Sequence, residues 1–590
     1  MTADIAPLVS DNLDVWTAAI ERKAGVGRSG SRKLSLYGIG RLRALVLDLA
    51  VRGKLVPQNA VDEPASKLLE TIRSEKPGYL REHSLPKQRA LGSIEQTPFD
   101  VPPTWSWTRL GDIAVYIQRG KSPKYEIGSG VMVVSQRCVQ WTGLDLSAAK
   151  EISRASLNSY EPYRFLQSGD LLWNSTGTGT IGRVIAVNAV PENLVCDSHV
   201  TVVRCPWANP RYLQYWLASD AVYGQIEVLA AGSTNQIEWT AQLATSQAVP
   251  LPPLAEQQRI VAKVDELMVL CDTLEEESKA AMAAHQTLVE TFVATLTASA
   301  DAAELATNWQ RLETHFDTLF TTEPSVDALK TTVLDLAARG KLTVQNKADG
   351  SAAESLQGID AEKRNLEMTG TLRKEKPLPD VSHKEIPFLL PDGWLWVRIG
   401  RLALFTQYGT SQKAEKLGAG IPVLAMGNIN SGKVDINSDK CIPEDSEELP
   451  ELFLEPGDLL YNRTNSYELV GKTGLFNGPP KSVTFASYLI RIRLAEAFAS
   501  PKYVNWIMNS RYFRETQVVP KITKQTGQAN VSGGAMRNML IPLPPLSEQH
   551  RIVTKVDELM ALCDALKSRI ADAATTQIHL ADAIIDRAAA

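Results

Sequence analysis

The sequence PLPPLAEQQRIVAKVDELMVLCDTL at Pro250–Leu274 returns almost unchanged as PLPPLSEQHRIVTKVDELMALCDAL at Pro542–Leu566, 292 positions later. Twenty of the 25 aligned residues are identical. A second segment, VLDLAVRGKLVPQN at Val46–Asn59, returns as VLDLAARGKLTVQN at Val333–Asn346. A period of about 290 residues is far longer than the roughly 20–50 residues of a solenoid repeat, so the chain contains a duplicated module.

The longest repeated segment has helical periodicity. After its proline-rich start, apolar residues alternate at spacings of four and three, which is typical of a coiled-coil seam. The seam residues are Ile260, Val264, Leu267, Cys271 and Leu274 in the first copy and Ile552, Val556, Leu559, Cys563 and Leu566 in the second. The pattern predicts paired long helices, and a helix from Leu254 to about Thr295 would span about 60 Å. An ordinary amphipathic core helix would explain one copy but explains a second, nearly identical copy less well.

The diverged parts of the module predict globular domains. Residues 101–250 and 389–541 contain short β-rich runs, such as Val200–Val203, separated by Gly, Asn, Ser and Pro. We therefore expect an α+β fold in which two such domains are separated by long paired coiled-coil helices, with a pseudo-twofold internal duplication. Segments 61–100 and 347–388 are charged and carry SEKP and KEKP, which indicates exposed linkers.

The composition excludes several classes of protein. The 590 residues are 44% hydrophobic and 22% charged with a formal net charge of −5, which argues against a disordered or disulfide-scaffold protein. No apolar run approaches the roughly 18 residues needed to cross a bilayer, and the N-terminus does not resemble a signal peptide. Six cysteines without a C-x-x-C pair lead us to expect a reducing cytoplasm and no zinc site.

Motifs for catalysis are weak or missing. GTGTIG at Gly177–Gly182 fits G-x-G-x-x-G, but the residues after it predict a strand and a proline turn rather than the helix of a dinucleotide site. No complete phosphate-binding GxxxxGK[ST] motif, methyltransferase Asn/Asp-Pro-Pro-aromatic motif or histidine–cysteine cluster is found. The sequence therefore predicts a non-catalytic chain with no metal or cofactor of its own.

Polar and basic loops occur in both diverged domains. Arg, Lys, Asn and Gln make bidentate contacts to base edges, and Lys also neutralises phosphate, although polar loops are often simply solvated. Residues 390–541 carry a net charge of +3 despite seven acids within Glu444–Asp458, whereas residues 101–250 sum to zero. The candidate DNA-binding residues are Arg119, Lys121, Lys124, Arg137, Asn174, Arg183, Asn235 and Gln236 in the first domain, and Lys413, Asn428, Asn430, Arg463, Asn465, Lys472, Lys521, Lys524 and Asn530 in the second.

These segments together resemble the specificity subunit of type I restriction–modification systems. The resemblance rests on the PLPPLAEQ and PLPPLSEQ helix starts, the LDLAxRGKL block, and the PDGW sequence at Pro391–Trp394 that opens the second variable domain. The corresponding PPTW at Pro102–Trp105 departs from the PDGW pattern. The likeness covers almost the whole chain in the family's order, but the first 40 residues and the two charged segments are longer than the minimal family pattern.

The resemblance implies a division of labour. Each diverged region would be a target-recognition domain that reads one half of a bipartite, asymmetric site in double-stranded DNA. The helices would dock two modification subunits that use S-adenosylmethionine, and restriction (motor–nuclease) subunits would bring ATP and Mg²⁺. The implied parts are an N-terminal helical region that packs with the C-terminal helix (1–60), a linker (61–100), recognition domain 1 (101–250), a central helical region (251–346), a linker (347–388), recognition domain 2 (389–541) and the C-terminal helix (542–590).

Two other functions remain open at this point. A self-contained DNA methyltransferase or nuclease would bind S-adenosylmethionine or turn over substrate without partners. A coiled-coil adaptor without DNA contact would show no sequence-selective DNA retention once its partner was supplied.

Overall fold

The structure is a computed structural model that describes the chain except residues 1–4, 24–32, 89–90, 178, 232–237, 300–301, 417–419, 526 and 590. The chain forms two compact units. Unit 1 contains residues 1–281 and 573–590, and unit 2 contains residues 282–572. Each unit therefore includes one diverged domain and parts of the repeated helical segments.

Unit 1 contains mostly short elements before the first long helix. Its helices are α1 (Ile5–Ser10), α2 (Leu13–Ala18), α3 (Tyr37–Val51), α4 (Ala65–Glu82), α5 (Leu110–Ile113), α6 (Arg154–Asn158), α7 (Pro210–Ala218), α8 (Asp220–Ala231) and α9 (Ala241–Ser246). Its strands are β1 (Glu21–Lys23), β2 (Lys33–Ser35), β3 (Ser106–Arg109), β4 (Tyr116–Arg119), β5 (Met132–Val134), β6 (Val139–Gln140), β7 (Gly143–Leu144), β8 (Lys150–Glu151), β9 (Leu171–Asn174), β10 (Val184–Ala186), β11 (Val195–Cys196), β12 (Val200–Arg204) and β13 (Ala248–Leu251).

The core of domain 1 (residues 101–250) is an antiparallel sheet in the order β10-β9-β12-β4. Val202 on the central strand β12 lies opposite Leu172 of β9 and Gln118 of β4. A smaller sheet has the order β11-β5-β8, in which β11 and β5 are parallel. All five residues of β12 are buried, as expected of a strand covered on both faces.

The first long helix, α10 (Leu254–Ala298), has 45 residues and is therefore about 67 Å long. It starts in unit 1 and ends in unit 2. The proline-rich segment before it forms β13, which pairs with β3 so that Pro250 lies opposite Trp107. Because proline has no N–H to donate, Pro250 fits such an edge strand, and so does Pro542 in the second copy.

Unit 2 repeats this plan. Its helices before the second long helix are α11 (Ala302–Thr314), α12 (Phe316–Leu319), α13 (Glu323–Ala338), α14 (Ala352–Met368), α15 (Ile399–Leu402), α16 (Leu449–Leu452), α17 (Pro501–Met508), α18 (Arg511–Phe513), which continues as a π-helix over Arg514–Val518, and α19 (Gly533–Arg537). Its strands are β14 (Leu395–Arg398), β15 (Ala403–Tyr408), β16 (Glu415–Lys416), β17 (Ile421–Leu424), β18 (Ile429–Asn430), β19 (Lys433–Val434), β20 (Lys440–Ile442), β21 (Leu459–Asn462), β22 (Thr464–Asn465), β23 (Thr473–Leu475), β24 (Thr484–Phe485), β25 (Leu489–Leu494), β26 (Thr523–Gln525), β27 (Gln528–Asn530) and β28 (Leu540–Leu543).

Domain 2 (residues 389–541) has a larger main sheet in the order β15-β25-β21-β23-β19-β18. Its first four strands correspond to β4, β12, β9 and β10 of domain 1. Two further sheets have the orders β16-β20-β17-β24 and β22-β27-β26. The second long helix, α20 (Leu546–Ala589), follows β28, which pairs with β14, and it ends in unit 1. The α+β class, the duplicated plan and the long helices are confirmed.

The coiled-coil seam is buried in unit 1 and partly buried in unit 2. Its five residues in α10 belong to the core of unit 1, together with residues of α3 and Ala581 of α20. In unit 2, Ile552 and Val556 belong to the core of domain 2, and Cys563 is buried in a cluster with Val289 of α10. Leu559 and Leu566 are only partly buried.

The charged segments predicted as linkers are helical over much of their length, and this corrects the prediction for 61–100 and 347–388. Helix α4 buries Ile72, and helix α14 buries Leu356 and Ile359 against domain 2. Lys76 donates to the carbonyl of Gly111 at 2.6 Å, and Lys363 donates to the carbonyl of Gly400 at 3.0 Å. The prediction failed because most residues of these helices are polar or charged, and only a few apolar residues are buried.

Within the described part of the chain, no helix combines the length and the apolar character needed to cross a membrane.

Candidate nucleic-acid interface

One strand end has the same backbone hydrogen bonds in both domains. Strand β9 ends at Asn174 and strand β21 ends at Asn462. The carbonyl of Asn174 accepts from the Gly182 amide at 2.9 Å, and the carbonyl of Asn462 accepts from the Gly471 amide at 2.8 Å. The Asn174 side chain donates to the carbonyl of Gln136 at 3.0 Å, and Asn462 donates to that of Met426 at 3.3 Å.

The next residue is held just as tightly but differs in chemistry. The Ser175 amide donates to the carbonyl of His199 at 2.9 Å, and the Ser175 carbonyl accepts from the Trp239 amide at 2.8 Å. In domain 2 the equivalent residue is Arg463, whose amide donates to the carbonyl of Tyr488 at 3.0 Å. The Arg463 carbonyl accepts from the Val531 amide at 2.9 Å. We call Asn174, Ser175 and their hydrogen-bond partners in domain 1, together with Asn462, Arg463 and their partners in domain 2, the reading frame. The name refers to this geometry and not to codons.

A glycine brings a third segment against each frame. A Cβ on Gly120 would lie 2.1 Å from the carbonyl oxygen of Cys196, and one on Gly409 would lie 2.1 Å from that of Phe485. Only glycine permits this approach of two backbones. The basic loop after Gly120 and the loop after Gly409 therefore start at the same place in both domains.

In domain 2 the frame opens onto a surface of arginine, lysine and tyrosine. The guanidinium of Arg463 lies 5.0 Å from the ring centre of Tyr408, and Tyr488 beside it is exposed. Strands β22, β27 and β26 form a small sheet next to Arg463 that carries the exposed Lys524. Arg514 lies 5.6 Å from the ring centre of Tyr467, which is also exposed. Arginine, lysine and tyrosine side chains on one surface can contact the phosphates and base edges of a duplex.

Domain 1 presents a different set of groups. His199 Nδ1 is hydrogen-bonded to Thr176 Oγ1 at 2.7 Å, and Arg119 forms an ion pair with Glu238 at 3.2 Å. Its exposed aromatic residues have other neighbours: the Lys150 ammonium lies 4.6 Å from the ring centre of Tyr125, and the exposed Trp141 packs against Tyr223. The two domains therefore share the frame but not the surface around it.

Several predicted DNA-binding side chains are exposed. They make no hydrogen bond or ion pair within the described part of the chain and so are available to a ligand. They are Lys124, Arg137, Lys413 and Lys524. Asn430 is exposed as well, and its Oδ1 accepts a hydrogen bond from Ser431 at 3.3 Å.

Other predicted side chains already have partners or are partly shielded from solvent. Lys121 pairs with Glu161 at 2.9 Å, and this hydrogen bond is the main cause that lowers the pKa of Glu161 to about 2. Arg183 donates to Gln140 at 2.7 Å. Desolvation lowers the pKa of Lys472 and of Lys521 below the usual lysine value, which shows that both side chains are partly shielded from solvent.

The structure corrects four predicted asparagine contacts. Asn174, Asn465 and Asn530 are buried, and Asn530 Oδ1 accepts from Thr464 at 2.8 Å. Asn428 holds its own loop, since its amide donates to the carbonyls of Asp435 and Asn437. These residues build the surface rather than present their amides on it. Asn235 and Gln236 lie outside the described residues.

Sequence reasoning missed the aromatic part of the surface. It selected residues by charge and amide groups, and therefore passed over Tyr408, Tyr467 and Tyr488 in domain 2 and His199 in domain 1. A tyrosine four residues after a selected cation, as in NRTNSY, was the available signal.

Comparison with known proteins identifies the family. A model of the type I restriction modification DNA specificity domain matches residues 102–283 and 391–575. The EcoEI and EcoAI type I restriction enzyme specificity subunits of Escherichia coli are each 34% identical to this chain, over 99% of this chain and 99% of the relative. A crystal structure of the HsdS subunit from Thermoanaerobacter tengcongensis is 21% identical, covers 84% of this chain and 99% of that chain, and gives a TM-score of 0.40.

Because the family model matches more than half of the chain and full-length relatives align along nearly all of it, this chain belongs to the specificity subunits of type I restriction enzymes, the non-catalytic subunits that recognise DNA.

Proposed function

We propose that domain 1 and domain 2 each read one half of a bipartite, asymmetric site in double-stranded DNA. The observation that carries this proposal is the reading frame, in which identical backbone hydrogen bonds hold Ser175 in one domain and Arg463 in the other. A shared frame supports the same mode of approach to DNA, and different side chains favour different bases. Arginine in particular can make a bidentate contact to guanine.

Mapping of methylated adenines in a host that carries this system tests the assignment. Arg463→Ala should relax the half-site read by domain 2, at about 1–3 kcal/mol for a lost bidentate contact, and leave the other half-site unchanged. Arg119→Ala should do the reverse if its guanidinium leaves Glu238 for a base. Arg511→Ala is the matched control, because this exposed arginine pairs with Glu515 on α18 and the following turn. Equal loss of preference in both half-sites after Arg463→Ala would refute the modular assignment.

We also propose that the two long helices dock two identical modification subunits. Contacts within this chain are enough to explain why the buried residues of the two repeats are identical. Gln257 accepts from the Asn209 amide at 2.8 Å, and Gln549 accepts from the Ser500 amide at 2.8 Å, so each helix start is fitted to its own domain. Several exposed identities make no such contact outside their own helix. They are the ion pairs Lys263–Glu266 and Lys555–Glu558 and the leucines Leu270 and Leu562, which are 38% and 67% exposed.

The mass of the assembled complex tests this docking surface. The native chain should bind two modification subunits, and Leu270→Asp or Leu562→Asp alone should leave a complex with one. Thr273→Asp and Ala565→Asp are matched controls, since these exposed positions differ between the repeats and should keep both subunits. A stable one-to-one complex of the native chain at saturating partner would contradict the proposal.

The remaining parts of the proposal concern spacing, cofactors and location. Since α10 and α20 each run from one unit into the other, their length supports a role in setting the unread spacer between the half-sites. We assign S-adenosylmethionine to the modification subunits, and ATP and Mg²⁺ to restriction subunits that join the complex for cleavage. The chain itself would hold no cofactor and would act in the cytoplasm, where its DNA substrate lies.

A further inference from the structure

A cleft with a volume of about 570 Å³ lies beside domain 2, between the residues that follow α14 and strand β15. Its lining is rich in cations, which are Lys363, Arg373, Lys376, Arg398, Arg401 and Arg537, against four carboxylates. Arg373 and Lys376 belong to the charged segment 347–388, which is longer than the minimal family pattern. The proposal that each domain reads a half-site gives this segment no role.

Four of the six cations are already engaged. Lys363 donates to the carbonyls of Gly400 and Arg401, and Arg398 donates to that of Pro379 at 2.7 Å. Arg401 pairs with Asp360 at 3.0 Å, and Arg537 pairs with Glu375. These contacts fix the walls of the cleft.

Arg373 and Lys376 are different. Both side chains are exposed, and neither makes a hydrogen bond or an ion pair with any residue that the structure describes. Both cations are therefore available to an anion from outside the chain.

The cleft leads toward the reading frame. A second cleft of about 420 Å³ shares Lys376 and Arg537 with the first and reaches Tyr408 and Gly533. Strand β15 lines both clefts, from Leu404 in the first to Tyr408 in the second, a distance of about 13 Å at about 3.3 Å per residue. This length matches about four base pairs of B-DNA at about 3.4 Å each. At its far end, the Tyr408 ring faces Arg463 of the frame.

We infer that this cleft holds the sugar–phosphate backbone of DNA next to the half-site that domain 2 reads, with Arg373 and Lys376 as phosphate contacts. The inference rests on the proposed function of domain 2 and adds a sequence-independent contact beside that half-site. A phosphodiester chain supplies repeated negative charge, which suits an open cleft with two available cations that ends at base-reading side chains.

The test uses the complex of the full chain with its modification subunits and a duplex that carries the mapped site. The double variant R373A/K376A should raise Kd about tenfold or more at 0.1 M salt and lower the slope of log K against log[salt] by roughly one to two units. The mapped half-sites should stay the same. Lys374→Ala is the matched control, because Lys374 is exposed on the same segment but does not line the cleft, and it should leave the slope unchanged.

A variant that should bind DNA more tightly distinguishes the loss of a contact from misfolding. Glu375→Gln removes the carboxylate that pairs with Arg537, so the freed guanidinium should tighten DNA binding and steepen the slope by about one unit. Protection of phosphates beside the domain 2 half-site should be lost in R373A/K376A and kept beside the other half-site. A native slope in both the double variant and Glu375→Gln would overturn the inference, whereas a change of half-site preference after Arg463→Ala tests the proposed function separately.

Discussion

Unit 1 and unit 2 agree where side chains hold the backbone and differ where side chains reach solvent. Asn174 and Asn462 end equivalent strands with equivalent hydrogen bonds, and Gln257 and Gln549 join each long helix to its own domain. Beyond these contacts, the frame presents serine in one domain and arginine in the other. The comparison teaches that the duplicated chain keeps its geometry through buried polar contacts, while the surface around them is free to change its target.

The largest effect is expected from a charge placed in the seam. Leu267 is 5% exposed, whereas its counterpart Leu559 is only partly buried. Leu267→Asp should therefore cost about 4 kcal/mol or more of unfolding free energy, and Leu559→Asp clearly less, because a half-exposed carboxylate keeps part of its hydration. Calorimetry of the purified chain measures both. Leu270→Asp is the control, and equal destabilisation by the two seam variants would show that the units bury their seams alike.

A smaller effect is expected from the paired asparagines. Asn174→Ala removes the donor to the carbonyls of Gln136 and Thr180, and Asn462→Ala removes the donor to that of Met426, which should cost about 1–3 kcal/mol in either unit. The midpoint of urea unfolding gives the comparison. The exposed Asn430→Ala should leave the midpoint unchanged. If only one of the buried variants lost stability, the equivalence of the two frames would be broken.

The smallest effect concerns the buried glutamates at the helix starts. Burial raises the pKa of Glu256 and of Glu548 above the usual glutamate value. A raised folded-state pKa means that stability is greatest below the unfolded pKa of about 4.3 and is lost as the pH rises through the folded value. Glu256→Gln and Glu548→Gln should therefore flatten the dependence of stability on pH above about 4.3.

Glu548→Gln should also lose stability at neutral pH. The Glu548 carboxylate accepts from Trp394 at 2.9 Å and from Gln345 at 2.7 Å, using both of its oxygens. A glutamine has one acceptor oxygen, so Glu548→Gln gives up one of these bonds in addition to the change in pH dependence. Stability measured across a pH series checks both variants, and a native pH profile in each would contradict the role assigned to burial.

The amino-acid sequence by itself determined the duplication, the long helices, the seam and the division into variable domains. Each of these depends on spacing along the chain, because helical periodicity and the 292-residue offset follow directly from the order of the residues. The sequence also favoured DNA recognition through the resemblance of its repeated motifs to a known family. Arginine and lysine loops could be selected in the same way, because residue type alone marks a possible phosphate or base contact.

Only the tertiary structure decided which of those residues face solvent. Asn174 and Arg463 are neighbours in the aligned frame and look alike as polar residues in a loop, but the asparagine is buried and the arginine faces Tyr408. The supposed linker at 347–388 became a packed helix followed by one wall of a cationic cleft. The physical reason is that burial and pairing depend on residues far apart in the chain, such as Tyr408 with Arg463 and Glu375 with Arg537, which pattern and composition do not bring together.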